Sequence, residues 1–292
     1  MSDQVKGLLI TFFGVFFVVP DALFVRLISA DPLAIAFWRL GLVGSAISFW
    51  ILLSRGIAPF ISVLRTGRFA FIFMLGIGGS GLLFILAVSL TSVANVVFII
   101  ASLPLFAAVF SRIFLAEPFS LRILLTIAAV APGLAIIAYG SAETVNASLA
   151  CDLLAFGVSA LYAAALTAAR CARPVSMVPG VAMGCVLVAL LIAPFAAPFS
   201  IPSTDVPLIA GHACTIVISS VLLAIGPRYI TSPEVALLVL IESVAAPLLV
   251  WIVLEETPGI HALVGGGIVV GALFVSNLVL LWKVRKGTAH PT

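Results

Sequence analysis

From residue 6 to residue 282 the chain is a succession of apolar runs of about twenty residues, each cut off by short polar or turn-forming stretches such as SADP (29–32) and EETPG (255–259). Few folds tolerate this pattern. An α-helix of that length spans the ~30 Å hydrocarbon core of a bilayer, and irregular backbone cannot face lipid, so each run is predicted as a membrane-spanning helix. Ten runs are predicted, near 6–28, 33–54, 69–90, 92–114, 121–140, 148–170, 177–198, 207–227, 232–254 and 259–282. Charged residues make up 9% of the 292, against about 25% in soluble domains, so lipid is the expected solvent. The connections leave no room for a soluble domain, and function must reside in the helices. The first run is expected to be retained rather than cleaved as a signal peptide, because it carries Pro20 and Asp21 inside it and has Ile28 ahead of Ala30.

The runs repeat. Ser102 to Glu117 (SLPLFAAVFSRIFLAE) and Ile241 to Glu256 (IESVAAPLLVWIVLEE) are each sixteen residues, predominantly apolar and closed by a glutamate, and Gly7 to Arg26 aligns without gaps on Cys151 to Arg170. Thr91-Ser92-Val93-Ala94-Asn95 resembles Thr231-Ser232-Pro233-Glu234. The expected organisation is two five-helix units, 1–142 and 143–292. Five is odd, so the second unit enters the bilayer from the opposite side, and the repeats are inverted. Two such halves can open alternately to either face.

Lys and Arg in short loops set orientation. With a cytoplasmic N-terminus, that side collects Lys6, Arg55, Arg65, Arg68, Arg112, Arg122, Arg170, Arg173, Arg228, Lys283, Arg285 and Lys286, twelve of the 14 basic residues. The other side carries Asp31, Glu143, Asp205, Glu255 and Glu256. Both termini are therefore expected inside, in a multi-pass protein of a bacterial-type inner membrane. The net charge of +3 reflects this topology, not affinity for nucleic acid. Cys151, Cys171, Cys185 and Cys214 form no CxxC pair and read as packing residues. Asn146-Ala-Ser148 matches a glycosylation acceptor too short to weigh.

The ten runs, Ala36-Phe37-Trp38-Arg39, Ser102 and Pro104 followed by Ala116-Glu117, and the matching Ile241-Glu242 to Glu256 segment resemble the drug/metabolite transporter superfamily. More narrowly, they are similar to its EamA-type ten-helix carriers, a group that includes exporters of amino acids and other metabolites. The resemblance implies an all-α membrane fold, export, and a cavity lined by helices one to four and six to nine, with five and ten peripheral. Ser243 stands where the second repeat usually has proline, and Pro247 follows one turn later.

An ionisable side chain near the bilayer centre costs about 2.5–3.5 kcal/mol to insert, so each is a functional candidate. Glu242 lies about ten residues into the ninth run, in which no basic residue occurs; the internal alignment sets it opposite Leu103. It can carry a proton, bind a substrate amino group, or bond a neighbouring helix. Asp21 and Arg39 lie at matching depth within ~2 Å at 1.5 Å per residue, and are expected either to pair or to leave Arg39 for a substrate carboxylate or an outer gate. Arg26 can compete for Asp21. His212 reads as a bonded packing residue or a proton site; Tyr162, Ser159, Ser219 and Ser220 can orient a ligand or join helices. Asn95 and Glu234 read as helix-terminal caps or gates. Bending is expected at Pro20, Pro104, Pro247 and the glycine cluster of helix three, Gly78 and Gly79 included. Gly265, Gly266, Gly267 and Gly271 form a small-residue face on helix ten, for intramolecular packing or a weak homodimer through helices five and ten.

The reading is a secondary carrier exporting small amphipathic metabolites, amino acids including aromatic ones, with Phe16, Phe17, Trp38, Phe84 and Tyr162 within reach of the cavity. No Gly-x-x-x-x-Gly-Lys loop exists, and neither cofactor nor metal is expected. Two other classes fit parts of the chain. A channel or facilitator needs no new residues, although rings of like charge are lacking. Gly78-Gly79-Ser80-Gly81 matches the Gly-x-Ser-Gly of rhomboid-type intramembrane proteases, with His212 as the base partner of Ser80.

Overall fold

A computed structural model describes residues 3–116, 121–143, 149–172, 174–225, 229–230 and 232–285. Glu117, Arg173, Arg228, Lys286 and the Asn146–Ser148 triplet lie outside the described residues. The fold among them is all helical. Thirteen helices run α1 (Asp3–Val18), α2 (Asp21–Leu27), α3 (Pro32–Arg55), α4 (Ala58–Leu64), α5 (Arg68–Leu90), α6 (Val93–Ile100), α7 (Leu103–Leu115), α8 (Leu121–Glu143), α9 (Leu149–Cys171), α10 (Val178–Ile192), α11 (Val206–Ile225), α12 (Ser232–Leu254) and α13 (Ile260–Arg285).

Eight segments are long and apolar enough to cross a membrane, and the two shorter apolar helices are Val178–Ile192 and Leu238–Leu254. The outside of the bundle is as greasy as its core. Leu53, Leu153, Phe195 and Ile252 are each more than two-thirds exposed, which a water-facing surface does not sustain over a whole belt. On α3 one face (Ala36, Leu40, Val43, Ile47, Ile51) is buried while Phe49, Trp50 and Leu53 point outward. This is an integral membrane protein.

Two predicted spans are each two helices. The first breaks at Val19–Pro20 and the fourth at Ala101–Ser102. Proline explains both: Pro20 and Pro104 lack the N–H that would continue the ladder, and each ring crowds the carbonyl one turn back. The 310-like bonds Ser102 N to Ile99 O (2.9 Å) and Leu105 N to Ser102 O (2.8 Å) bridge the second break. By contrast α12 continues through Pro247, and α5 through Gly78 and Gly79. Helix α4 was not expected; IAPFISVL is too short to span and reads as connection.

The strongest pairings are α5 on α9, α8 on α13, α3 on α10, α5 on α10 and α1 on α11. Small residues bring the backbones together. A Cβ on Gly76 would stand 2.6 Å from the Leu161 carbonyl oxygen of α9, and one on Gly133 would stand 2.6 Å from the Gly265 oxygen of α13. Gly266 meets Phe98, whereas Gly267 and Gly271 have nothing within 4 Å. The connections after α2, α5, α10 and α12 gather at one end: Ser29 N donates to Asp205 Oδ2 (2.8 Å) and Trp38 Nε1 to Pro198 O (2.7 Å). At the opposite end the Lys6 ammonium lies 5.0 Å from the Tyr229 ring centroid.

Candidate functional site

The break in the first span aims Asp21 inward. It opens α2 as a buried residue, 5% exposed, and its carboxylate is shared. Oδ2 accepts from Arg39 Nη2 of α3 at 2.5 Å, and Oδ1 meets His212 Nε2 of α11 at 2.5 Å. His212 is 1% exposed and stacks on Phe24 of α2, with ring centroids 5.4 Å apart and planes at 14°. One carboxylate therefore fastens α2, α3 and α11. A charge in apolar surroundings persists only when paired and hydrogen-bonded, and here the side chains of Asp21 and Arg39 are 7% and 10% exposed.

Arg39 keeps donors in reserve. Its Nε is buried without a hydrogen-bond partner among the described residues, and the guanidinium carbon lies 5.9 Å from the Phe84 centroid. A Cβ on Gly81 would sit 3.1 Å from Arg39 Nη1, so the bare glycine leaves room for the guanidinium beside α5. Glu242 of α12 lies within electrostatic range of Asp21, Arg39 and Tyr162. Half-buried, it has no hydrogen bond or ion pair among the described residues. Tyr162 of α9 is 37% exposed. Asp21, Arg39, His212, Glu242 and Tyr162, drawn from both halves of the sequence, thus form one electrostatic group.

Other candidates stand apart. Ser80 Oγ donates to its own helix at Ile77 O (2.9 Å) while His212 is engaged by Asp21, so the serine–histidine dyad is not assembled. Asn95 is buried, and its N–H donates to Ser92 Oγ (3.3 Å), the N-cap of α6. Ser159 Oγ of α9 reaches Ile99 O (3.4 Å), beside the break in the fourth span. Phe16 is 61% exposed. Arg26 does not compete for Asp21; it pairs with Glu256, Nε to Oε2 at 3.2 Å.

Two of these contacts could have been sought in the sequence. His212 lies about as far into its helix as Arg39 does into α3, some 10 Å at 1.5 Å per residue. Equal depth was the available signal. Nothing comparable marks Glu256 as the partner of Arg26, because the α12–α13 connection is irregular.

A polar group drawn from both halves of the sequence, sunk in an apolar bundle beside a broken helix, is costly to hold there and marks the candidate site. Residues 5–139 match the model of the EamA-like transporter family. The EamA-like segment covers α1 through most of α8, and so includes Asp21, Arg39, Ser80 and Asn95. Thirteen chains of known structure match the protein. One, described only as "Crystal structure of protein", superposes with a TM-score of 0.63 at 19% identity, covering 98% of this chain and 99% of its own. That likeness carries the fold alone. No curated protein matches.

Proposed function

We propose that this EamA-like membrane protein is a secondary carrier, ten-spanning with two inverted five-helix repeats, that exports small amphipathic metabolites by alternating access. The observation that carries the reading is Glu242: an acidic side chain half-buried among apolar helices, without a bonded partner among the described residues, in the field of the Asp21–Arg39 pair. A group that costs energy to hold there is retained for a ligand or a proton. Amino acids, aromatic ones included, suit the site best. Glu242 receives the ammonium group or a proton, unbonded donors of Arg39 receive the carboxylate, and Phe84 and Tyr162 supply apolar surface.

The helix pairings support the repeats. Number the spans one (α1–α2), two (α3), three (α5), four (α6–α7), five (α8), six (α9), seven (α10), eight (α11), nine (α12) and ten (α13). Exchanging the halves turns the three–six contact into eight–one, three–seven into eight–two, and four–six into nine–one, while two–seven and five–ten map onto themselves; all of these contacts occur. The family match also ends at residue 139, near the expected boundary at 142. The distribution of basic residues supports a cytoplasmic position for the end bearing Lys6.

Reconstituted protein should exchange labelled L-phenylalanine against unlabelled L-phenylalanine, and Glu242→Gln should lower that exchange at least tenfold. Equal exchange by the variant removes Glu242 from the mechanism. Flux that never saturates favours a channel.

A further inference from the structure

Two arginines at matched positions of the repeat cross between the halves at opposite ends of the bundle. Arg26, in the last turn of α2, crosses to Glu256 after α12: Nε lies 3.2 Å from Oε2, and Nη2 donates to Oε1 at 3.3 Å. The same Nη2 donates to Thr91 O (2.8 Å), the C-cap of α5, and Glu256 Oε1 accepts from Val93 N (3.0 Å), the first residue of α6. One ion pair thereby ties α2, the α5–α6 junction and the α12–α13 connection. At the other end Arg170, in the last turn of α9, donates from Nη1 to Ser111 Oγ of α7 at 2.9 Å.

The internal alignment of 7–26 on 151–170 sets Arg26 opposite Arg170. Each arginine reaches out of its own half into the other. Arg26 ends at the glutamate closing the sixteen-residue segment 241–256, and Arg170 ends inside the matching segment 102–117. We infer that these are paired clamps of one carrier, Arg26–Glu256 holding the outer end shut and Arg170–Ser111 the inner, released in turn. The inference rests on the alternating-access reading above. Both clamps are made here, so neither end is unclamped in this conformation.

Exposure distinguishes a clamp from a fixed strut. The side chains of Arg26 and Glu256 are each 26% exposed, so water can replace the contact as the end opens, whereas Asp21 and Arg39 are sealed. Beside the pair, Glu255 holds φ at 56°, a left-handed conformation that a non-glycine residue adopts at a cost. The connection is thus held in place by contacts, not by its own preference.

The test needs no substrate. In the intact chain with its four cysteines replaced, spin labels at Ser29→Cys and Thr257→Cys, both exposed in the parent, report the outer end in lipid nanodiscs by double electron–electron resonance. The parent should give one distance. Glu256→Arg, which sets like charges together, should raise a longer component at least fivefold, and Arg26→Glu with Glu256→Arg should return it to the parent value. Arg170→Gln, weakening the inner clamp, should reduce the longer component that Glu256→Gln produces. If Glu256→Arg does not fold, Glu256→Gln and Arg26→Gln must each lengthen the distance. Unchanged distances in folded variants overturn the inference, as does a charge swap that restores nothing. Lengthened distances without phenylalanine exchange instead contradict the substrate reading alone.

Discussion

Asp21 decides how the buried charges are arranged. It gives one oxygen to Arg39 and the other to His212, so removing it strands a cation in an apolar interior. Removing one partner of a buried pair costs about 3–5 kcal/mol. Asp21→Ala and Arg39→Ala should each lower the melting temperature in detergent, and the double variant should lose less than the sum. If the two losses simply add, the pair is not coupled. For transport, recovery of activity by the double variant would make Arg39 a strut; continued inactivity, with the fold retained, would make it a ligand for substrate. The Asp21–Arg39 contact was legible from depth along two neighbouring helices. For His212 equal depth was the one signal, and it did not suffice, because 191 positions separate it from Asp21 and the rotation of α11 about its axis is set by packing that hydropathy does not encode.

At the scale of the element, proline and glycine account for most departures from ten plain spans. Pro20 sits at its break and Pro104 just beyond the other, and both breaks could be located from the sequence to within a turn. Pro247 looks similar in sequence yet α12 is continuous, since neighbouring helices can satisfy the freed carbonyl. Gly78 and Gly79 read equally well as a hinge or a contact. In the structure α5 is straight enough to remain one helix, and a Cβ on Gly78 would stand 2.6 Å from Val188 Cγ2 of α10. The same reasoning separates two glycines that sequence treats alike. Gly133→Ala forces a methyl onto the Gly265 carbonyl oxygen at 2.6 Å and should cost about 1–3 kcal/mol by overpacking. Gly267→Ala has open space and should change stability by no more than about 0.5 kcal/mol. Thermal melting of the two variants side by side checks this. Equal losses would mean that α8 and α13 are not held by close backbone approach.

For the whole molecule, hydropathy was enough to give the membrane and the all-helical architecture, because in lipid the backbone has few alternatives. Loop charge gave an orientation that still awaits a label. Thr204→Cys and Ser62→Cys, exposed at opposite ends, should react with an impermeant maleimide from opposite sides of the membrane, Ser62→Cys from the side that bears Lys6; reaction of both from one side would contradict the proposed inverted arrangement. The candidate site was only half legible. Glu242 and Arg39 stood out as costly residues, but that they share one field with Tyr162 depends on how the two halves interlock.

Counterflow tests the central claim, that the chain is a carrier, most directly. Proteoliposomes preloaded with unlabelled L-phenylalanine and diluted into trace labelled L-phenylalanine should accumulate label transiently above equilibrium, saturably, and at least tenfold less with Glu242→Gln. Label that only equilibrates, without overshoot, across phenylalanine and a panel of other amino acids would contradict it.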